Sequence, residues 1–134
     1  MSTKILLVDD DVDEHEFFAL ALQSVNENIQ LRVAGDAILA LEQLEGDTSF
    51  IPYYIFLDVN MPKMNGIQCV PELKKMAHLK NSKIVMYSTT LHNHVVEDVR
   101  KLGVDEFLIK PFKIAKLIEE LKKIIQPNEN NEAG

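Results

Sequence analysis

The chain has 134 residues, of which 46% are hydrophobic and 26% are charged, and its formal net charge is −7. These values are typical of one soluble domain, and they disfavour unassisted binding to nucleic acid because phosphates repel an acidic protein. No apolar run approaches the roughly 20 residues that span a bilayer, and the N-terminus lacks the pattern of a signal peptide. The single cysteine, Cys69, excludes an internal disulfide and favours a reducing compartment. We therefore expect a cytoplasmic domain without a membrane segment.

Five short apolar runs predict β-strands, which in chain order are Lys4–Val8, Ile29–Val33, Tyr53–Leu57, Lys83–Tyr87 and Glu106–Ile109. Each run is followed by apolar residues at helical spacing. Those residues include Phe17, Leu20 and Ala21, then Ile38, Leu41 and Leu44, then Ile67, Val70 and Leu73, then Val96, Val99 and Leu102, and finally Ile114, Leu117, Leu121 and Ile124. The sequence therefore predicts five strands that alternate with five helices.

Strand-helix alternation predicts a parallel sheet with right-handed crossovers. Runs such as ILLV at 5–8 lack polar alternation, which indicates strands covered on both faces. The expected architecture is a three-layer α/β sandwich, and a strand order of 2-1-3-4-5 is common in such sheets. We expect one domain over residues 1–126 and a polar, disordered tail over 127–134, with no attached output domain.

Polar residues follow four of the predicted strands at their carboxyl ends. Asp9 and Asp10 follow the first strand, Asp58 the third, Ser88 the fourth and Lys110 the fifth. Ligands of open parallel sheets bind beyond these ends, where the strand order reverses. In the order 2-1-3-4-5, the first and third strands are neighbours, so the three aspartates are expected to share one pocket.

Clustered carboxylates repel one another unless a cation lies between them, and a site of oxygen ligands with much water suits Mg²⁺. A carboxylate beside Mg²⁺ and a lysine is equipped to attack a phosphoryl group, because the two cations stabilise charge on the transferred oxygens. Asp58 is the candidate nucleophile, Lys110 the candidate cation, and Ser88 can donate a hydrogen bond. The main-chain carbonyl of Asn60 could reach the metal from the loop.

With these residues the chain resembles the receiver domain of two-component response regulators over about residues 3–125. The resemblance is carried by KILLVDDD at 4–11, FLDVNMPKMNG at 56–66, IVMYST at 84–89 and GVDEFLIKPF at 103–112. It implies a flavodoxin-like (βα)5 fold and a stand-alone, chemotaxis-receiver-like signalling switch. Such a switch is not an enzyme in the ordinary sense, since it catalyses only its own phosphorylation and autodephosphorylation.

The resemblance implies a role for each matching residue. Asp58 is the phosphoacceptor, Lys110 pairs with the phosphoryl group, and Ser88 is the switch hydroxyl. The implied Mg²⁺ ligands are Asp10, Asp58 and the Asn60 carbonyl, with Asp9 assisting through water. Phe107 stands where the family carries its switching aromatic residue, often a tyrosine, and Thr89 stands where many members have alanine. The Lys110–Pro111 peptide bond is expected to be cis.

The implied partners are a sensor histidine kinase or a histidine phosphotransfer protein upstream, and a protein target or a second copy of the chain downstream. The output surface is expected on helix 4, strand 5 and helix 5, with no direct contact to nucleic acid. An aspartyl phosphohydrolase is disfavoured because Asn60 stands two residues after the candidate nucleophile, where such enzymes carry an acid. A nucleotide or flavin binder lacks its glycine motifs here, and an inactive receiver is disfavoured by the intact acid, hydroxyl and lysine set.

Overall fold

The computed structural model describes the backbone of residues 3–133 and the side chains of residues 3–125. The strands are β1 (Lys4–Val8), β2 (Gln30–Ala34), β3 (Tyr54–Leu57), β4 (Lys83–Ser88) and β5 (Glu106–Ile109). The α-helices are α1 (Val12–Val25), α2 (Ala37–Gly46), α3 (Gly66–Lys74), α4 (Asn93–Lys101) and α5 (Ile114–Ala133). A short 3₁₀ turn at Ala77–Leu79, which the sequence analysis did not predict, leads into β4.

All five strands are parallel and lie in the order β2-β1-β3-β4-β5, which confirms the predicted fold and strand order. The registers align Val8 of β1 with Leu57 of β3 and Ser88 of β4 with Ile109 of β5. The carboxyl ends of these four strands therefore finish at one edge of the sheet, with β1 and β3 as neighbours.

The sheet separates two hydrophobic clusters, because side chains alternate between its faces along each strand. The first cluster, on the side of α2, α3 and α4, contains Leu6, Ile55 and Met86 from the strands. The second cluster, on the side of α1 and α5, contains Leu7, Phe56 and Tyr87. Both faces of the sheet are covered, as the absence of polar alternation predicted.

Side-chain caps fix the helices that begin near the carboxyl edge of the sheet. Asp11 caps α1 by accepting from the main-chain N–H of Asp13, at 3.0 Å. At α3, Asn65 accepts from Gln68 N at 2.8 Å, and the Gln68 side chain accepts from Asn65 N at 3.0 Å. This reciprocal pair is a capping box, and it fixes the start of α3 at Gly66.

Some predicted helix faces were wrong in detail. The buried residues of α2 are Ala37, Ala40 and Leu44, whereas Ile38 is 38% exposed. Small alanines rather than the larger aliphatic residues face the sheet. The prediction relied on the positions of the large aliphatic residues, and it therefore gave a buried face that is rotated around the helix relative to the observed one. In α1, Ala21 is buried as predicted, whereas Leu20 is 56% exposed, so the predicted face was wrong at that position.

Two other expectations concern the C-terminal part of the chain. No peptide bond of the described backbone is cis, so the expectation of a cis Lys110–Pro111 bond was wrong; the trans form is the ordinary preference of X–Pro bonds. Helix α5 continues to Ala133, whereas the sequence analysis ended it near Gln126. The side chains of residues 126–134 lie outside the described part of the chain. The predicted end of the domain at residue 126, and the predicted tail over 127–134, therefore stay predictions.

Candidate functional site

Main-chain hydrogen bonds continue past the strand ends and place the predicted site residues at one edge. Asp9 N donates to Ala34 O at 3.1 Å, and Asp58 N donates to Val8 O at 3.0 Å. Lys110 N donates to Ser88 O at 2.8 Å. Because each of these donors lies one step beyond the end of a strand, hydrogen-bonded backbone holds its Cα atom. The structure thus brings together the predicted aspartates, serine and lysine.

Three carboxylates meet in this pocket. One oxygen from each of Asp9, Asp10 and Asp58 can be chosen so that all three lie within 4.8 Å of one another. Mg²⁺ binds oxygens at about 2.1 Å, which sets its ligand atoms at most about 4 Å apart, so small side-chain adjustments would form such a site. Asp9 and Asp58 are buried while Asp10 is exposed, which leaves an open side where water can complete the coordination.

Lys110 lies among these acids. Its Nζ atom is 2.7 Å from Asp9 Oδ2 and 3.5 Å from Asp58 Oδ2, and the lysine side chain is 10% exposed. Asp9 Oδ2 is itself buried and accepts no hydrogen bond of regular geometry from the described residues. Its contact with Lys110 is therefore an ion pair, and the oxygen still has a lone pair that can bind a cation. An anionic oxygen of this kind fits a cation, which supports the donor set predicted for Mg²⁺.

The pKa values of Asp58 and Lys110 are both raised, which favours the neutral form of the aspartate and the charged form of the lysine. Burial raises the pKa of Asp58 to about 6, with the charge of Asp9 adding to the effect and Lys110 opposing it. For Lys110, burial favours the neutral amine, but the contact with Asp9 and the charge of Asp58 outweigh it and raise the pKa of the ammonium. The lysine therefore stays charged beside an aspartate that is costly to ionise without a further cation.

The β3–α3 loop shapes the pocket around Asp58. Asn60 N donates to Asp58 Oδ1 at 3.2 Å and so orients the carboxylate. A Cβ atom added at Gly66 would lie 2.3 Å from Asp58 O, so only glycine lets α3 begin this close to the strand end. Lys63 has φ 68, a left-handed conformation that is rare for residues with a side chain. The loop is therefore held in a specific, partly strained path.

The predicted switch residues, Ser88 and Phe107, lie on the neighbouring strands β4 and β5. Ser88 is fully buried, and its Oγ accepts from the Asn60 side-chain amide at 3.4 Å. Phe107 is half-buried against the first cluster. The Arg100 guanidinium carbon lies 5.4 Å from its ring centroid. Thr89 is exposed next to Ser88.

The sequence analysis missed two contacts around the pocket. His15 Nε2 lies 2.5 Å from the main-chain oxygen of Asp9 and donates to it, although the histidine had no neighbour that suggested a role. The Tyr87 hydroxyl donates to Glu14 Oε1 across the α1–β4 contact. Glu14 follows the run of aspartates at the start of α1, which could have drawn attention to it. No local sequence pattern, however, connects Glu14 with Tyr87.

The family model for the response regulator receiver domain matches residues 5–122. The chain belongs to this family. CheY-like receiver domains are signalling switches rather than ordinary enzymes. In the described part of this receiver domain, none of the helices has the length and apolarity needed to cross a membrane.

Known relatives agree with this assignment over nearly the whole chain. The receiver domain is 30% identical to chemotaxis protein CheY of Thermotoga maritima, over 92% of this chain and 98% of that protein. Its fold matches CheY4 of Vibrio cholerae with a TM-score of 0.80 and 25% identity, covering 93% of this chain and 100% of the other. It also matches, with a TM-score of 0.77, 25% identity and coverage of 91% and 88%, a chain of the CheX-CheY-BeF3-Mg²⁺ complex of Borrelia burgdorferi.

Proposed function

We propose that this chain is the receiver domain of a response regulator and accepts a phosphoryl group on Asp58. The observation that carries the proposal is the setting of the Asp58 carboxylate, which lies at the end of a central strand beside Asp9, Asp10 and Lys110. The donor is a histidine kinase or a histidine phosphotransfer protein, in the cytoplasm. One carboxylate oxygen of Asp58 attacks phosphorus, the P–N bond breaks, and the donor imidazole keeps the electron pair.

Each surrounding group has a separate part in this transfer. Lys110 neutralises charge on the phosphoryl oxygens, and the Ser88 hydroxyl donates a hydrogen bond to one of them. Asn60 N holds Asp58 Oδ1 in place. Asp9, Asp10, Asp58 and the Asn60 carbonyl would hold Mg²⁺, which when bound neutralises the carboxylates and the incoming phosphoryl group. The same pocket, open to water on the side of Asp10, supports autodephosphorylation.

The output follows from a shift between two conformations, because phosphorylation favours the state in which the phosphoryl oxygens gain contacts. We propose that movement of Ser88 towards the phosphoryl group lets Phe107 turn inwards, which changes the surface of α4, β5 and α5. Ile109 of β5 is 58% exposed and Phe112 is fully exposed, so this surface offers apolar area to a protein target or a second copy. The net charge of −7 supports a protein partner over nucleic acid.

Phosphorylation of Asp58 is tested by incubating the protein with acetyl phosphate and Mg²⁺. We expect intact-mass spectrometry to show one added phosphoryl group on the wild type and none on Asp58→Asn. Asp11→Asn is the matched control, since Asp11 follows Asp9 and Asp10 at the end of β1 but caps α1, a task that asparagine also performs. A phosphoryl group that persists in Asp58→Asn would refute the assignment.

The metal site is tested by thermal unfolding. We expect Mg²⁺ to raise the melting temperature of the wild type, because a cation relieves the repulsion among the buried carboxylates. Asp10→Asn should lose most of that gain, whereas Lys110→Ala should keep Mg²⁺ affinity within roughly tenfold of the wild type, since an ammonium is not a metal ligand. Equal stabilisation of the wild type and Asp10→Asn would place the metal elsewhere.

A further inference from the structure

Tyr87 is a buried tyrosine whose hydroxyl faces the functional site. It precedes Ser88 in β4 and points to the α1–α5 side of the sheet, where its ring centroid lies 5.3 Å from that of Phe18. The side chain is fully buried, and its hydroxyl donates to Glu14 Oε1 in the first turn of α1. Burial and the Glu14 contact raise the pKa of Tyr87 well above its usual range, so the hydroxyl remains a donor at neutral pH.

The same ring lies beneath the ammonium group of Lys110. Lys110 Nζ is 5.3 Å from the centroid of the Tyr87 ring while it contacts Asp9 and Asp58. The charge of Glu14 acts on the ammonium as well, in the direction that favours its protonation. Among the described residues, however, the ion pairs of Lys110 run to Asp9 and Asp58 and not to Glu14.

Glu14 is thus a further carboxylate, joined to the tyrosine whose ring lies under Lys110, and it forms no ion pair with that lysine. We propose that Tyr87 is a positioning residue whose hydroxyl holds Glu14 in a hydrogen bond and so prevents this carboxylate from drawing Lys110 away from Asp58. The inference rests on the proposed function, since it assigns Lys110 to the phosphoryl group. The physical basis is competition, because a carboxylate without a fixed donor near an ammonium forms an ion pair with it.

Removal of the hydroxyl has two effects of opposite sign. In Tyr87→Phe the ring and its packing remain, and Glu14 becomes free to pair with Lys110. The ammonium then competes less with a cation for Asp9 and Asp58, so Mg²⁺ binds more tightly. The ammonium is also displaced from the phosphoryl oxygens, so transfer to Asp58 becomes slower. A general loosening of the site would instead weaken metal binding and slow transfer together.

The chain offers a matched control for the loss of a buried tyrosine hydroxyl. Tyr54 lies on the neighbouring strand β3, in the same cluster as Tyr87, and its hydroxyl donates to the main-chain oxygen of Ile124 at 3.0 Å. Tyr54→Phe therefore removes a similar hydrogen bond on the same side of the sheet, without releasing Glu14.

The experiment compares the wild type, Tyr87→Phe, Tyr54→Phe and Tyr87→Phe/Glu14→Gln. Calorimetry measures Mg²⁺ affinity, and intact-mass spectrometry measures the rate of phosphorylation by acetyl phosphate. For Tyr87→Phe we expect Mg²⁺ to bind about threefold more tightly and phosphorylation to be about fivefold slower, the size of one partly exposed ion pair. Tyr54→Phe should stay within about twofold of the wild type in both, and adding Glu14→Gln to Tyr87→Phe should restore both values.

Two results would overturn the role of Tyr87. One is weaker or unchanged Mg²⁺ binding in Tyr87→Phe, and the other is a double variant that remains as slow as the single variant. A wild-type protein that acetyl phosphate cannot modify would instead contradict the proposed function. The Mg²⁺ titrations of the four proteins would still decide whether the Tyr87 hydroxyl restrains Glu14, so the two failures are distinguishable.

Discussion

Asp58 is a residue whose charge is costly until the site receives another cation. It is 5% exposed, Asp9 lies beside it, and Lys110 compensates only in part. Burial and the like charge of Asp9 favour the neutral carboxylic acid and raise the pKa of Asp58 to about 6. The same features that make the site receptive to Mg²⁺ therefore reduce the stability of the metal-free protein at neutral pH.

This cost predicts a pH dependence of stability in the presence of a chelator. The pKa of Asp58 is about 6 in the folded protein and about 3.9 when unfolded, so its stabilising contribution is full below about pH 4 and lost by about pH 6. The free energy of unfolding of the wild type should fall over this range by up to about 3 kcal/mol relative to Asp58→Asn. Denaturant titrations of both proteins between pH 4 and 7 would measure the difference. A difference that does not change with pH contradicts the argument.

The site residues could be predicted from the sequence because each one ends a strand or directly follows one. Asp9, Asp58, Ser88 and Lys110 are local signals, and the strand order then brings them together. The hydrogen bond between Tyr87 and Glu14 joins positions 73 residues apart, and no periodicity or spacing in the sequence predicts it. The buried face of α2 was misjudged for a different reason, since alanines at Ala37 and Ala40 face the sheet through close approach rather than through hydrophobic bulk.

At the scale of elements, the start of α3 is coupled to the position of the phosphoacceptor. Gly66 N donates to Val59 O at 3.1 Å, and the capping box of Asn65 and Gln68 fixes the first turn. The helix therefore begins in contact with the main chain of Asp58. Any residue that pushes α3 outwards must also move the end of β3, because a backbone oxygen cannot rotate away as a flexible side chain can.

Gly66→Ala tests this coupling. The added Cβ atom would lie 2.3 Å from Asp58 O, so we expect a loss of about 1–3 kcal/mol in the free energy of unfolding and slower phosphorylation of Asp58. Gly35→Ala is the control, because a Cβ atom at Gly35 meets nothing within 4 Å. Denaturant titration and intact-mass spectrometry would compare the two variants. Equal effects of both substitutions would show that the close approach at Gly66 does not position Asp58.

At the scale of the whole molecule, the pocket and the proposed output surface lie on connected elements. Ser88 ends β4, and Phe107 lies in the neighbouring strand β5 with its ring near the guanidinium of Arg100 on α4. A change at Ser88 thus has a short physical route to α4 through Phe107. The proposed switch needs no contact between the phosphoryl group and the outer surface, since the packed side chains between them can adopt two arrangements.

A titration with beryllofluoride and Mg²⁺, followed by amide chemical shifts, would map this route. We expect shifts at the pocket loops and, beyond them, within residues 92–120, which include α4, β5 and the first turns of α5. Asp58→Asn should abolish both sets, because beryllofluoride then has no carboxylate to join. Shifts confined to the pocket loops would mean that the signal does not leave through α4 and β5.

Because the sheet divides the core into two separate clusters, copies of this domain can diverge in one cluster after gene duplication while the other is conserved. Buried residues of α3 and α4, such as Val70 and Val99, belong to one cluster, whereas Leu117 and Leu121 of α5 belong to the other. Substitutions at sites without shared contacts have nearly additive effects on stability. A duplicated gene can therefore accumulate changes in α4, and so acquire a new target, while the layer that contains α1 and α5 and the start of α3 beside Asp58 stay intact.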